Sequence, residues 1–344
     1  MIQNPTKLLF LCTLISGSII SISSNSWFGA WIGLEINLLS FIPLMTNSSN
    51  LLSTEASLKY FLTQALASAT LLFTVVFAAL MYSYPNSLIS PNLFLNTLIN
   101  SSLLLKMGAA PFHFWFTGVM EGLSWMNGFL LLTWQKIAPL MLLSYNLSLN
   151  MFTVFVIISS IMIGSLGGLN QTSLRKIMAY SSINHLGWLT SAMIMSESIW
   201  NTYFITYSFL TATIIFMLNT YKISHLNQAF SLNSLSPVIK FSLFSSLLSL
   251  GGLPPFLGFM PKWMVIQNLT ETDMKITAVI MVVMTLLTLF YYLQVSFSAF
   301  TLTYTENLWN TPTTTMNFSF YWTIILTSIS TLGLLICSMI FHIF

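Results

Sequence analysis

Apolar residues run along this chain in blocks separated by short polar punctuation, and the blocks show no alternation with a period of two. Each block is about 20 residues long, the length a helix needs to cross about 30 Å of hydrocarbon at about 1.5 Å of rise per residue. A β-barrel would instead need alternating segments of about ten residues. Counting blocks predicts about eleven transmembrane helices. They are placed near 2–22, 26–45, 57–83, 92–120, 124–146, 150–170, 174–195, 198–222, 236–269, 274–303 and 319–342. Turn-forming clusters such as Thr46-Asn-Ser-Ser-Asn50 and Asn310-Thr-Pro-Thr313 mark the connections. The first block follows Met1-Ile-Gln-Asn-Pro5 directly, and with so many spans after it, it reads as an anchor rather than a cleaved leader.

Two blocks contain their own interruption. In Leu103-Leu-Leu-Lys-Met-Gly-Ala-Ala-Pro-Phe-His-Phe-Trp115, a lysine is followed at once by Gly108 and Pro111. Proline has no N–H to donate and its ring crowds the carbonyl four residues earlier, so a backbone acceptor is released beside Lys106. The second interruption, Gly252-Leu-Pro-Pro-Phe256, aligns with Gly108-Ala-Ala-Pro-Phe112, is broken by Gly252, Pro254 and Pro255, and is followed by Lys262. Paired interrupted helices in corresponding positions of two halves point to a transporter of inverted repeats. The expected fold is therefore an all-α polytopic membrane protein with discontinuous fourth and ninth helices. A first five-helix repeat spans 1–146, an inverted second one 147–303, and a loop with a closing helix 304–344. An odd number of helices per repeat inverts the second relative to the first.

Composition agrees. The 344 residues are 56% apolar and 5% charged, against about 25% charged in soluble domains, so the chain cannot cover a water-facing surface. A net charge of +3 from so few groups, without any basic tract, gives no footing for nucleic acid. Cys12 and Cys337 stand alone at opposite ends, without metal or redox spacing. Nor is there a phosphate-cradling glycine loop or a nucleophile triad pattern.

The charges set an orientation. Lys7, Lys59, Arg175, Lys176, Lys222 and Lys240 fall at the N-terminal side, and Lys275 with Glu197, Glu271 and Asp273 at the other. The positive-inside rule puts the N-terminus in the cytoplasm or mitochondrial matrix and the C-terminus across the membrane. Glu35, Lys106, Lys136 and Lys262 remain in mid-membrane sequence, where ionisable groups are functional candidates by default. Glu35 is expected to pair with Lys106, and a carboxylate that moves or protonates would release the lysine's proton, making a gate. Lys136, followed by Pro139 as a further backbone disturbance, suits a central relay, and Lys262 a terminal one. Ser181, Asn184 and His185 share one helical face and form a supporting polar axis, to which His113 can belong. Each has a plainer reading: the pair as a helix lock, Lys136 as a snorkelling cation, the histidines as polar packing. Trp115, Trp263 and Trp309 read as interface belts or packing.

At these residues the chain resembles a known family. Lys106-Met-Gly-Ala-Ala-Pro-Phe-His-Phe-Trp115, Leu174-Arg-Lys-Ile-Met-Ala-Tyr-Ser-Ser-Ile-Asn-His-Leu-Gly-Trp188 and Gly251-Gly-Leu-Pro-Pro-Phe256 before Lys262 are similar to motifs of the antiporter-like subunits of respiratory complex I, in the mitochondrial form of an invertebrate animal. The resemblance covers almost the whole chain. It implies a multi-pass protein of the mitochondrial inner membrane that translocates protons through Glu35, Lys106, Lys136 and Lys262. It implies no cofactor in this chain, with NADH, FMN, iron–sulfur clusters and ubiquinone in other subunits. Implied partners are the other membrane-arm subunits, including neighbouring antiporter-like ones, and lipid. Three N-terminal helices of bacterial relatives are missing here, so neighbours are expected to cover the first repeat. The alternatives are an Mrp-like cation/proton antiporter subunit and a purely structural membrane subunit.

Overall fold

The computed structural model describes residues 5–47, 50–81, 93–226, 228, 237–301 and 318–343. Among them are fourteen helices and no strand, only an isolated bridge between Ser173 and His225. The chain forms two compact units, Met1–Ser160 and Ile161–Phe344.

The first unit contains α1 (Pro5–Ser23), α2 (Trp27–Met45), α3 (Leu51–Met81), α4 (Leu93–Met107), α5 (Phe114–Gly122), α6 (Trp125–Leu132), α7 (Trp134–Asn146) and the start of α8 (Met151–Gly168). Ser26 caps α2 by accepting from the Gly29 N–H at 3.3 Å. The α1–α2 contact rests on small residues: a Cβ on Gly33 would come within 2.5 Å of the Ser21 amide nitrogen. Such close backbone approach is how membrane helices pack when the hydrophobic effect no longer separates protein from lipid. α3 packs on α2, α4 and α5, and α7 on α1, α4 and α6.

The second unit contains the rest of α8, then α9 (Leu174–Met195), α10 (Glu197–Thr220), α11 (Pro237–Gly251), α12 (Phe259–Glu271), α13 (Lys275–Thr301) and α14 (Phe318–Ile343). α12 packs on α9, α10 and α13, and α11 on α10, α13 and α14.

Among the described residues, six helices, α1, α2, α3, α8, α10 and α13, are long and apolar enough to cross a membrane by length and composition. Their outer faces carry exposed Leu66, Phe73, Ile205, Val283 and Leu286, an arrangement water penalises and lipid does not. Serines and threonines are tolerated because their hydroxyls bond carbonyls one turn back, as in Ser21 to Ser18 at 2.7 Å and Ser102 to Ile99 at 2.7 Å.

The expected span at 92–120 is two helices, α4 and α5, and that at 236–269 is likewise divided into α11 and α12. The span at 124–146 is also divided, which the pattern did not anticipate. Pro139 sits inside a continuous α7, and the interruption falls at Thr133, at φ −116° and ψ −69°. Proline frees the carbonyl of Gln135 in the first turn of α7, so the helix restarts just ahead of that turn instead of bending at the proline. Trp309 and the Asn310–Thr313 turn lie outside the described residues.

Candidate functional site

At the first break, α4 ends one residue after Lys106 and the backbone reverses through Gly108 at φ +74°. Glycine, which has no Cβ, is favoured there. The carbonyls freed by the break find donors from elsewhere. Gln64 Nε2 of α3 donates to the Lys106 carbonyl at 3.0 Å, Trp115 Nε1 to Leu105 at 3.1 Å, and Ser159 Oγ to Ala110 at 3.3 Å. Trp115 is thus a strut across the break as well as a packing residue.

The Lys106 side chain is buried. It lines a cavity of about 20 Å³ together with Lys136, Asn37, Tyr60, Gln64 and Gln135, room for about one water molecule. Lys136, on α7, is 1% exposed, and its Nζ lies 5.2 Å from the centroid of Phe116, within cation–π range. The amides form a chain around it: Gln135 Nε2 donates to Asn37 Oδ1 at 2.8 Å, and Tyr60 Oη to Gln135 Oε1 at 3.4 Å. Half-buried Glu35 exerts its charge on Lys106 without closing a direct ion pair. Direct ion pairs occur at exposed Glu55–Lys59, 2.6 Å, and Asp273–Lys275, 3.4 Å. His113 is buried at the break with Nδ1 3.3 Å from the Pro111 carbonyl and does not line the lysine cavity.

The second break uses Gly252 at φ +83°, and its proline-rich turn shares hydrogen bonds with the first. Phe112 N–H bonds Ala109 O as Phe256 N–H bonds Leu253 O, at 2.8 and 2.9 Å, and Phe116 to His113 corresponds to Met260 to Leu257. Both turns also have a cis peptide bond, before Pro111 and Pro255. The lysine differs. Lys262 lies in the first turn of α12 and reaches back so that Nζ donates to the Gly251 carbonyl at the end of α11, 2.6 Å away. A cation at a helix C-terminus meets the negative end of its dipole.

Ser181, Asn184 and His185 of α9 come together with Lys262, Tyr291 and Tyr292 around a polar chamber without space for water. His185 Nδ1 is 2.9 Å from the Tyr203 hydroxyl, and its ring centroid is 5.0 Å from that of Tyr207. The expected α9 axis therefore meets the lysine of the second break. Gln64, Gln135 and the tyrosines of α10 and α13 were not anticipated. Tyr291-Tyr292 inside an otherwise apolar run was the available signal, whereas isolated glutamines carry no periodicity. Among the described residues, no three His, Cys, Asp or Glu side chains are placed to share a metal ion.

An all-helical membrane chain with two interrupted helices and buried lysines at the interruptions defines an antiporter-like membrane protein class. The chain belongs to the NADH:quinone oxidoreductase/Mrp antiporter transmembrane family, whose profile matches residues 24–288. It is 56% identical over 334 residues to NADH-ubiquinone oxidoreductase chain 2 of Anopheles gambiae, covering 97% of each chain. Against the protein of the same name from Locusta migratoria it is 47% identical over 340 residues, 98% of each. Its fold is similar to a chain of respiratory complex I from Thermus thermophilus, with a TM-score of 0.83 at 23% identity, over 96% of this chain and 79% of that one. A chain of the Mrp complex from Dietzia sp. gives 0.75 at 17% identity, over 95% and 75%.

Proposed function

We propose that this chain is a proton-translocating, antiporter-like membrane subunit of an NADH:ubiquinone oxidoreductase. The observation that carries the reading is the shared cavity of Lys106 and Lys136, two buried amines with uncharged hydrogen-bonding neighbours and space for about one water. Buried amines are costly to charge in hydrocarbon, and exchange of protons through a water between them gives that cost a purpose. The high identity to relatives named NADH-ubiquinone oxidoreductase chain 2 supplies the context.

Glu35 biases Lys106, Lys106 and Lys136 exchange a proton in the first unit, and Lys262 with His185, Asn184 and Ser181 handles one in the second. The matching turns at Gly108–Pro111 and Gly252–Pro255 support two inverted five-helix repeats, 1–146 and 147–303, with 304–344 as the closing segment. The protein spans the mitochondrial inner membrane with its N-terminus in the matrix and C-terminus in the intermembrane space. Its partners are the other membrane-arm subunits, neighbouring antiporter-like ones included, and lipid. Other subunits hold NADH, FMN, iron–sulfur clusters and ubiquinone, and their quinone reduction drives the relay.

In the assembled complex, Lys106→Met is expected to depress proton pumping and coupled quinone reduction while NADH oxidation by an artificial acceptor at the flavin is retained. Undiminished pumping would overturn the assignment. The family profile also covers Mrp antiporters, and cation/proton exchange in vesicles without NADH would favour that reading instead.

A further inference from the structure

A second, larger cavity of about 370 Å³ lies in the Ile161–Phe344 unit, where the loop after α8 meets α13. Its wall includes Asn170, Gln171, Thr172, Leu226, Gln294 and Tyr291. Backbone bonds secure this wall: Leu226 N–H to Thr172 O at 3.1 Å and Leu174 N–H to Ser224 O at 3.0 Å. A cavity of this size with several amide and hydroxyl groups holds water. Arg175 and Lys176 follow the loop closely, so the cavity belongs to the basic end of the chain.

Tyr291 is also a wall of the tight chamber that holds Lys262 and His185. It is 2% exposed, and its hydroxyl lies beside that of Tyr292, without completing a hydrogen bond among the described residues. Its ring lies edge-on to Tyr292, 4.5 Å between centroids. Tyr292 is itself close to Ser181, without completing a hydrogen bond. The ring fits because residue 168 is glycine: a Cβ there would stand 2.8 Å from Tyr291 Cε1. One phenol thus separates a roomy polar cavity from a chamber too tight for water.

We propose that the 170–172 cavity is a water-filled vestibule and that Tyr291 is the gate through which it exchanges protons with the Lys262 chamber. This rests on the proton-translocation reading and adds an entrance to it. When the phenol turns, its oxygen accepts a proton from vestibule water while its own O–H proton passes to a group in the chamber. The tyrosine ends neutral, the neutral Lys262 amine becomes an ammonium, and the vestibule loses one proton. Tyr292 and the Ser181 hydroxyl are placed to carry the intervening hop by the same exchange of O–H bonds.

The test is proton pumping per NADH oxidised in the assembled, reconstituted complex with Tyr291→Phe, Lys262→Met and Thr172→Cys. Tyr291→Phe keeps the ring and its packing, and a several-fold fall in pumping with retained assembly is expected. A thiol reagent that is bulky and water-soluble should lower pumping of Thr172→Cys relative to the same variant unlabelled. Wild-type pumping by Tyr291→Phe, with pumping lost in Lys262→Met, overturns the gate and leaves the relay standing. Wild-type pumping by Lys262→Met overturns the relay beneath it. If the Thr172→Cys thiol labels fully from water without any effect on pumping, the vestibule is not an entrance.

Discussion

The two helix breaks share a backbone and differ in how they treat their lysine. At the first, uncharged donors from Gln64, Trp115 and Ser159 take the freed carbonyls, and Lys106 projects into a cavity without donating a hydrogen bond to another described residue. At the second, Lys262 itself binds the freed carbonyl of Gly251. The same turn can therefore leave one amine ready to meet water and hold another against a helix end. Position explains it: Lys106 precedes its break and Lys262 follows its own, so only the latter can fold back over the interrupted end.

The largest effect should come from filling the turns. Gly252→Val places an L side chain at φ +83°, at a cost of about 1–3 kcal/mol, and its Cβ would stand 3.0 Å from Lys262 Nζ. Gly108→Val incurs the same backbone cost but presses on Phe116. Both should lower the amount and melting temperature of assembled complex, with only Gly252→Val dislodging its break's lysine. Wild-type melting in either would contradict the positive-φ argument.

Removing the amines comes next. Lys262→Met leaves the Gly251 carbonyl buried without its donor, costing about 1–3 kcal/mol, whereas Lys106→Met breaks no side-chain hydrogen bond among the described residues. Thermal unfolding of the two variant complexes should rank Lys262→Met as the less stable, although both lose pumping. The reverse ranking would erase the distinction drawn between the breaks.

Gln64→Leu should cost about 1 kcal/mol by depriving the Lys106 carbonyl of its donor. Pumping and stability should both decline, and a double variant with Lys106→Met should show less than additive loss of pumping. Full additivity would place Gln64 outside the lysine's site. The smallest effect is expected from Tyr203→Phe, which removes the hydroxyl 2.9 Å from His185 Nδ1 at a cost of about 0.5–1.5 kcal/mol. A modest loss of stability without failure of assembly is the expected outcome, checked by melting of the complex.

The helical class, the two interruptions and the buried amines were legible in the linear pattern. Apolar block length and misplaced charge are local properties that hydrocarbon enforces residue by residue. Ser181, Asn184 and His185 were legible too, because a single helix face depends only on spacing. The break at Thr133 was not, since Pro139 signals a disturbance but not the turn that absorbs it. Pairing of Glu35 with Lys106 was expected from type and depth, and their side chains interact without a direct ion pair.

By itself the sequence determined that this chain is a bundle of apolar helices, that two of them break at Gly108–Pro111 and Gly252–Pro255, and which amines are buried among them. Only the tertiary structure decided that Gln64 and Gln135 line the cavity of the first amines, that Lys262 turns back onto Gly251, and that Tyr291 lines both a roomy cavity and a tight one. Hydropathy acts on each residue alone, whereas a hydrogen-bond partner or a cavity wall exists only when helices distant in sequence pack together.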